Sequence, residues 1–118
     1  AALENVVNEK NAAKVKAKII LEMANGPLTE EAYLLLSKKG VVIVPDVLAN
    51  SGGVMVSYLE WVQGKAGYYW SEKEVNDKLK VMIIRAFEAI WDKSKEKNMP
   101  LKQAAFDVAI ERITSAMV

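Results

Sequence analysis

Two asparagine residues stand in short polar segments that each follow an apolar run. Asn25 belongs to the segment Met23–Pro27, and Asn50 belongs to the segment Asp46–Gly53. Each side-chain amide offers a carbonyl acceptor and N–H donors, so the two together can pair with a ligand hydroxyl or carboxamide. The alternative is that both residues cap turns or helix starts, a role for which asparagine is among the preferred residues.

The residues that follow Asn50 add groups suited to an anion and to a polar substrate end. Gly52 and Gly53 let a ligand approach the backbone at a predicted helix start, where free N–H groups and the helix dipole favour negative charge. Val54 and Ser57 share one helix face, which places an apolar contact beside a hydroxyl donor. The alternatives are a tight turn at the glycines and a serine that is solvated or bonded to its own backbone.

Two apolar segments predict the strands that position these loops. The segments Ala17–Ala24 and Val41–Val44 contain β-branched residues and end at turn-forming sequences. Between them, Thr29 is the predicted N-cap of a helix that Gly40 ends. This order predicts a right-handed parallel crossover, and ligands of open parallel sheets bind at the carboxyl edge. Because Val41–Val44 is apolar at every position, we expect this strand to be covered on both faces.

Helical periodicity predicts three C-terminal helices after the second strand, so the expected fold class is α/β with a parallel sheet. The first helix spans Ser51–Gln63, and the second is capped by Ser71 and reaches about Glu96. Pro100 is the predicted first residue of the last helix, and a short helix is expected upstream over Glu9–Val15. Two parallel strands are too few for a doubly wound sheet, so we expect neighbouring strands to precede this sequence.

Composition and charge exclude several classes of function. The 118 residues include neither cysteine nor histidine, so disulfides and thiolate metal sites are excluded and no metal site is predicted. The 16 basic and 15 acidic residues are spread evenly, without the basic excess of a nucleic-acid-binding protein. No apolar run approaches the roughly 20 residues that cross a bilayer, so we expect no membrane partner and a cytoplasmic location.

The stretches EMANGP at 22–27 and PDVLANSGGVMVSYLEW at 45–61 resemble the glutamate dehydrogenase family in order and spacing. The resemblance continues through the opening ALEN, the segment GYYW at 67–70 and the two last helices, so it covers nearly all of the chain. It implies a partial Rossmann-like cofactor-binding domain. Residues 1–70 would form its C-terminal half, and residues 71–118 a helical segment packed on it as one structural unit.

The resemblance also implies an activity, namely oxidative deamination of L-glutamate to 2-oxoglutarate and ammonia with NAD or NADP as hydride acceptor. The residues implied to bind the cofactor are Asn25, Asn50, Gly52 and Gly53. Val54 and Ser57 are implied to contact the substrate, with the Ser57 hydroxyl donating to its γ-carboxylate. Full-length members of the family are commonly hexamers, so a homo-hexamer is implied for the parent protein.

Several parts that the family needs for catalysis are absent from this sequence. It has no Gly-x-Gly-x-x-Gly pyrophosphate loop and no residue that would separate NAD from NADP. The family's catalytic lysine and aspartate belong to its substrate domain, so no catalytic residue is assigned here. We therefore expect a fragment of the enzyme that is inactive by itself and self-associates through its open strand edge.

Two other functions stay open at this point. A related dehydrogenase acting on leucine, valine or phenylalanine would share the fold, although an apolar substrate would leave the Ser57 hydroxyl unpaired. A non-catalytic interaction module would instead bind through large apolar residues of its amphipathic helices, namely Met82, Phe87, Trp91 and Met117. Such a module does not need the loop residues to converge on one sheet edge, so their placement separates it from an enzyme.

Overall fold

The computed structural model describes residues 3–117. Ala1 and Ala2 of the predicted segment 1–70, and Val118 of the predicted segment 71–118, lie outside the described residues. Strands β1 (Ile19–Leu21) and β2 (Val42–Val44) flank helix α1 (Glu30–Lys38). The later helices are α2 (Asp46–Ala49), α3 (Gly52–Ala66), α4 (Glu72–Lys97) and α5 (Leu101–Ala116). The predicted α/β class and the order of its strands and long helices are confirmed. Within residues 3–117, no helix is both long enough and apolar enough to cross a membrane.

The two strands pair in parallel, as predicted, and end at the same edge of the sheet. Leu21 at the end of β1 is the register partner of Val44 at the end of β2. The Glu22 N–H then donates to the Val44 carbonyl at 3.1 Å, which continues the ladder past β1. The segments that leave the two strands therefore start side by side.

One face of this sheet is only partly covered, so the expectation that Val41–Val44 is buried on both faces was wrong. Val42 is 40% exposed, and Ile19 and Leu21 on the same face are 61% and 60% exposed. Successive side chains of a strand point to opposite faces, and α1 covers the face that carries Ile43. The apolar run identified the strand correctly, but it did not specify what lies against each face.

The predicted helix caps are present. The Thr29 hydroxyl oxygen accepts the Ala32 N–H at 3.2 Å at the start of α1. At the start of α4, the Ser71 hydroxyl oxygen accepts the Glu74 N–H while the Glu74 carboxylate accepts the Ser71 N–H, which completes a capping box. α4 is continuous over its 26 residues and is therefore about 39 Å long.

Some element boundaries differ from those expected. Pro100 is the N-cap of α5 rather than its first residue. The helix expected over Glu9–Val15 is a single 3-10 turn at Ala12–Lys14, and β1 is shorter than the predicted Ala17–Ala24. The sequence did not predict α2, because a four-residue helix directly after a strand has too few positions to display helical periodicity.

Two apolar clusters hold these elements together. The first lies between α1 and the sheet and includes Leu36 and Ile43. The second lies mainly between α4 and α5, which we call the helical hairpin, and includes Ile90 and Leu101. Leu48 of α2 belongs to the second cluster, so the short helix that follows β2 rests on the helical hairpin.

Candidate functional site

Two loops leave the shared edge of the sheet, and we call residues 22–27 and 45–53 the strand-end loops. The second loop includes α2 and the first residues of α3. Side-chain hydrogen bonds cross between the two loops at Glu22, Gly26 and Asn50. The loops are therefore fixed relative to each other by named polar contacts.

Asn25 and Asn50 lie at one sheet edge, as expected, and their side chains also contact each other directly. Asn50 Nδ2 donates to Asn25 Oδ1 at 2.7 Å. Among the hydrogen bonds within residues 3–117, neither Asn25 Nδ2 nor Asn50 Oδ1 has a partner. The pair can therefore still donate through Asn25 and accept through Asn50 when a ligand binds.

The Asn50 side chain does not cap α3, so that alternative was wrong. The N-cap of α3 is Ser51, and its hydroxyl donates to the Leu48 carbonyl at 2.7 Å instead of accepting from the first turn. Asn50 ends α2, where its backbone N–H donates to the Asp46 carbonyl at 3.0 Å. Its side-chain amide is thus free of helix capping and bonds across to Asn25.

Asp46 ties the first strand-end loop to the second. Its Oδ2 accepts the Gly26 N–H at 2.8 Å, and its Oδ1 accepts the Val47 N–H at 2.8 Å. Gly26 has a φ of 55°, a left-handed conformation that residues with a side chain rarely adopt. This conformation allows the Gly26 N–H, one residue after Asn25, to reach Asp46.

Glu22 supports Asp46 from the interior and is only 4% exposed. Its Oε2 accepts the Asp46 N–H at 3.1 Å. The pKa of the Glu22 carboxyl lies above its ordinary value, chiefly because burial disfavours the charged form. The nearby charge of Asp46 also raises this pKa, whereas the hydrogen bond from the Asp46 N–H lowers it. The sequence interpretation assigned no role to either carboxylate. A signal was present, because Glu22 lies two residues after Ile20 and so on the same side of the extended chain as a core residue.

The first turns of α3 carry the other predicted site residues. A side-chain Cβ added at Gly53 would meet no atom within 4 Å, so the backbone there is open to a ligand. Gly52 is less open, since an added Cβ would lie 4.0 Å from Leu79 of α4. Val54 is 69% exposed and Ser57 is also exposed, and their spacing places them on one face of α3.

The site residues therefore fall into two sets that differ in the part of a ligand they can bind. Asn25 and Asn50 supply amide donors and acceptors at the sheet edge, and the N-terminus of α3 supplies open backbone N–H groups with the positive end of a helix dipole. Val54 and Ser57 follow along α3, where they add an apolar surface and a hydroxyl. These groups suit the binding and orientation of a ligand that has hydroxyl, amide and anionic parts.

Known proteins match this chain over almost its whole length. The family model for glutamate/leucine/phenylalanine/valine dehydrogenases matches residues 1–118. Over 117 residues, the chain is 46% identical to the NAD-specific glutamate dehydrogenase of Clostridioides difficile, which covers 99% of this chain and 28% of that protein.

Solved structures give the same result. The glutamate dehydrogenase of Peptoniphilus asaccharolyticus superposes with a TM-score of 0.95 at 44% identity, over 99% of this chain and 30% of that one. A hetero-hexameric glutamate dehydrogenase from Thermus thermophilus superposes with a TM-score of 0.91 at 33% identity, over 98% of this chain and 28% of that one. The chain thus spans less than a third of the length of these relatives.

Proposed function

This chain belongs to the glutamate/leucine/phenylalanine/valine dehydrogenase family, and we propose that its native protein oxidises L-glutamate to 2-oxoglutarate and ammonia. The strand-end loops would bind the nicotinamide cofactor. The observation that carries this proposal is the 2.7 Å contact between Asn25 and Asn50 at the shared edge of β1 and β2. The NAD-specific relatives from Clostridioides difficile and Staphylococcus aureus favour NAD over NADP.

The polar groups of the strand-end loops fit the nicotinamide and ribose end of such a cofactor. When bound, the cofactor supplies the hydride chemistry, and the chain binds and orients it. Asn25 offers a donor and Asn50 an acceptor, which is the combination that a carboxamide and ribose hydroxyls require. Gly52 and Gly53 would contribute their backbone N–H groups and the helix dipole to a negatively charged part of the ligand.

We assign the substrate end of the site to Val54 and Ser57. The Ser57 hydroxyl would donate to the γ-carboxylate of glutamate, and Val54 would contact the apolar part of its side chain. A leucine, valine or phenylalanine substrate would leave that hydroxyl unpaired in a closed site, at a cost of about 1–3 kcal/mol. This difference favours glutamate over the apolar amino acids that other family members oxidise.

The proposed function assigns binding and orientation, and no catalytic residue, to these 118 residues. The catalytic lysine and aspartate of the family would lie elsewhere in the native protein. The 118 residues alone should therefore give no glutamate-dependent reduction of NAD. We also propose a hexameric assembly for the native protein, a proposal that the hetero-hexameric relative from Thermus thermophilus supports.

The first test replaces Asn50 with alanine in the native protein. We expect the KM for NAD in glutamate-dependent NADH formation to rise about tenfold, because the cofactor loses one net hydrogen bond. Asn76→Ala is the matched control, since Asn76 is exposed on α4 outside both strand-end loops. The control should leave the KM for NAD unchanged.

The same assay separates the candidate functions. Faster NADH formation with leucine, valine or phenylalanine than with glutamate would favour the related amino-acid dehydrogenase. If the native protein reduces no NAD or NADP with any of these amino acids, the proposed function is wrong. An equal KM for NAD in wild type and Asn50→Ala would remove Asn50 from the cofactor site.

A further inference from the structure

Glu22 is the only buried carboxylate among residues 3–117, and the proposed contacts with cofactor and substrate do not use it. Three charged or titratable groups face it from the elements packed around it. They are Asp46 at the start of α2, Tyr33 on α1 and Lys102 on α5. Glu22 is the first residue of the first strand-end loop, and its side chain turns inward to the Asp46 N–H.

The burial of a charge at this position is unfavourable and therefore needs a reason. Burying a carboxylate destabilises a protein unless hydrogen bonds and opposite charges compensate. Glu22 accepts one hydrogen bond, from the Asp46 N–H. The nearest basic residue, Lys102, forms an ion pair with Glu30, in which Lys102 Nζ lies 3.4 Å from Glu30 Oε2. Glutamine has nearly the same shape and would fill the space without a charge, so packing alone does not account for a glutamate.

Asp46, in the second strand-end loop, contacts the first loop at two places, Glu22 and Gly26. Its N–H donates to Glu22, and its Oδ2 accepts the Gly26 N–H at 2.8 Å. Because like charges repel, an ionised Glu22 disfavours rotation of the Asp46 carboxylate toward it and so favours the bond to Gly26. A protonated or amidated side chain at position 22 would instead carry a donor that competes with Gly26 for Asp46.

We propose that Glu22 is a positioning residue of the cofactor site, whose ionised carboxylate acts through Asp46 to hold Gly26, and with it Asn25, against Asn50. Glu22 itself touches neither the cofactor nor the substrate. The inference rests on the proposed function, because the role concerns cofactor binding. It also gives a reason for a charge at a position where burial disfavours one.

This role gives cofactor binding a specific dependence on pH. Burial raises the pKa of Glu22 above its ordinary value of 4.5, so the group takes up a proton at a higher pH than an exposed glutamate. As the pH falls through this raised value, the charge is lost and the KM for NAD should rise. Stability changes in the opposite sense, because the folded state favours the protonated form. That contribution is complete below pH 4.5 and is lost as the pH rises through the raised pKa.

The test compares Glu22→Gln with Glu30→Gln in the native full-length protein. Both changes remove one negative charge near Lys102, but the hydrogen bond of the Glu30 side chain is to Lys102 and not to a strand-end loop. Glu22→Gln should raise the KM for NAD about tenfold, through loss of one net hydrogen bond in the loop network, and leave kcat at saturating NAD unchanged. It should also abolish the rise in KM at acid pH without lowering Tm near neutral pH. Glu30→Gln should leave the KM at neutral pH unchanged, because its side chain makes no hydrogen bond to a strand-end loop.

A second variant and a second measurement complete the test. Asp46→Asn should also raise the KM for NAD, and hydrogen exchange at the Gly26 N–H should be faster in both loop variants than in wild type.

An unchanged KM and unchanged Gly26 exchange in Glu22→Gln would overturn the proposal and leave the proposed function intact. A wild-type protein without glutamate-dependent NADH formation would overturn the proposed function instead. The exchange measurement would then still decide whether Glu22 holds the loop.

Discussion

The strand-end loops and the helical hairpin are held by different kinds of interaction. Side-chain hydrogen bonds of 2.7 to 3.1 Å join the two loops, and the buried carboxylate of Glu22 accepts one of them. The helical hairpin instead packs an apolar cluster that includes Ile90 and Leu101, and carries ion pairs on its surface. Hydrogen bonds depend on direction, whereas apolar burial depends mainly on area.

This contrast separates the geometry of the site from the stability of the chain. Substitutions in the strand-end loops should change the KM for the cofactor more than the free energy of unfolding. Substitutions in the helical hairpin should do the reverse. The two regions meet at Leu48, which packs in the hairpin cluster only two residues before Asn50. A change that moves Leu48 would therefore break the separation.

The largest expected effect on stability comes from Ile90→Ala in the hairpin cluster. Ile90 is 7% exposed, so its truncation should lower the free energy of unfolding by about 2–5 kcal/mol. Ile84→Ala on the same helix is the matched control and should cost much less, because Ile84 is 43% exposed. Urea unfolding of the purified protein measures the difference. If Ile90→Ala also raises the KM for NAD tenfold, then the hairpin controls the site and the contrast is wrong.

Local signals in the sequence predicted much of this fold. Thr29 and the pair Ser71 and Glu74 were recognised as caps because capping depends on residues only a few positions apart. The parallel pairing followed from strand, helix and strand in sequence. The contact between Asn25 and Asn50 was also within reach, because each follows a strand that ends at the same sheet edge.

Features that depend on contacts between residues far apart in the sequence could not be predicted from local signals. The four-residue helix α2 is fixed by Asp46, whose N–H is bound by Glu22 from 24 residues away. The exposure of Val42 depends on which elements cover the sheet, and an apolar run contains no information on that point. For Glu22 the alternation with Ile20 indicated the buried side of the strand, but its bond to Asp46, 24 residues away, could not be read from the sequence.

A smaller effect is expected from Ser71→Ala, which removes half of the capping box at the start of α4. The loss should be about 1 kcal/mol in the free energy of unfolding, with no change in the KM for NAD. The hydrogen bonds from Ser71 lower the pKa of Glu74, so the contribution of the Glu74 carboxylate is present above pH 4.5 and is lost as the pH falls through the lowered value, whereas the bond from the Glu74 N–H to the Ser71 hydroxyl does not titrate. Ser115→Ala, at an exposed position near the end of α5, is the control and should cost less. A loss in Ser71→Ala that is constant from pH 7 to about pH 2 would contradict the assigned role of Glu74.

The smallest effect should come from the ion pair between Lys97 and Asp107, which links the two helices of the hairpin at 3.2 Å. The two side chains are 44% and 31% exposed, so Lys97→Met should lower the free energy of unfolding by less than about 1 kcal/mol. Lys80→Met, at an exposed position of α4, gives the effect of the same substitution outside an ion pair. The difference between the two variants should shrink when urea unfolding is repeated at about 1 M salt, because solvent ions screen exposed charges. A difference above about 2 kcal/mol that persists at this salt concentration would mean that electrostatics, and not apolar packing, dominates the hairpin. The contrast with the strand-end loops would then no longer hold.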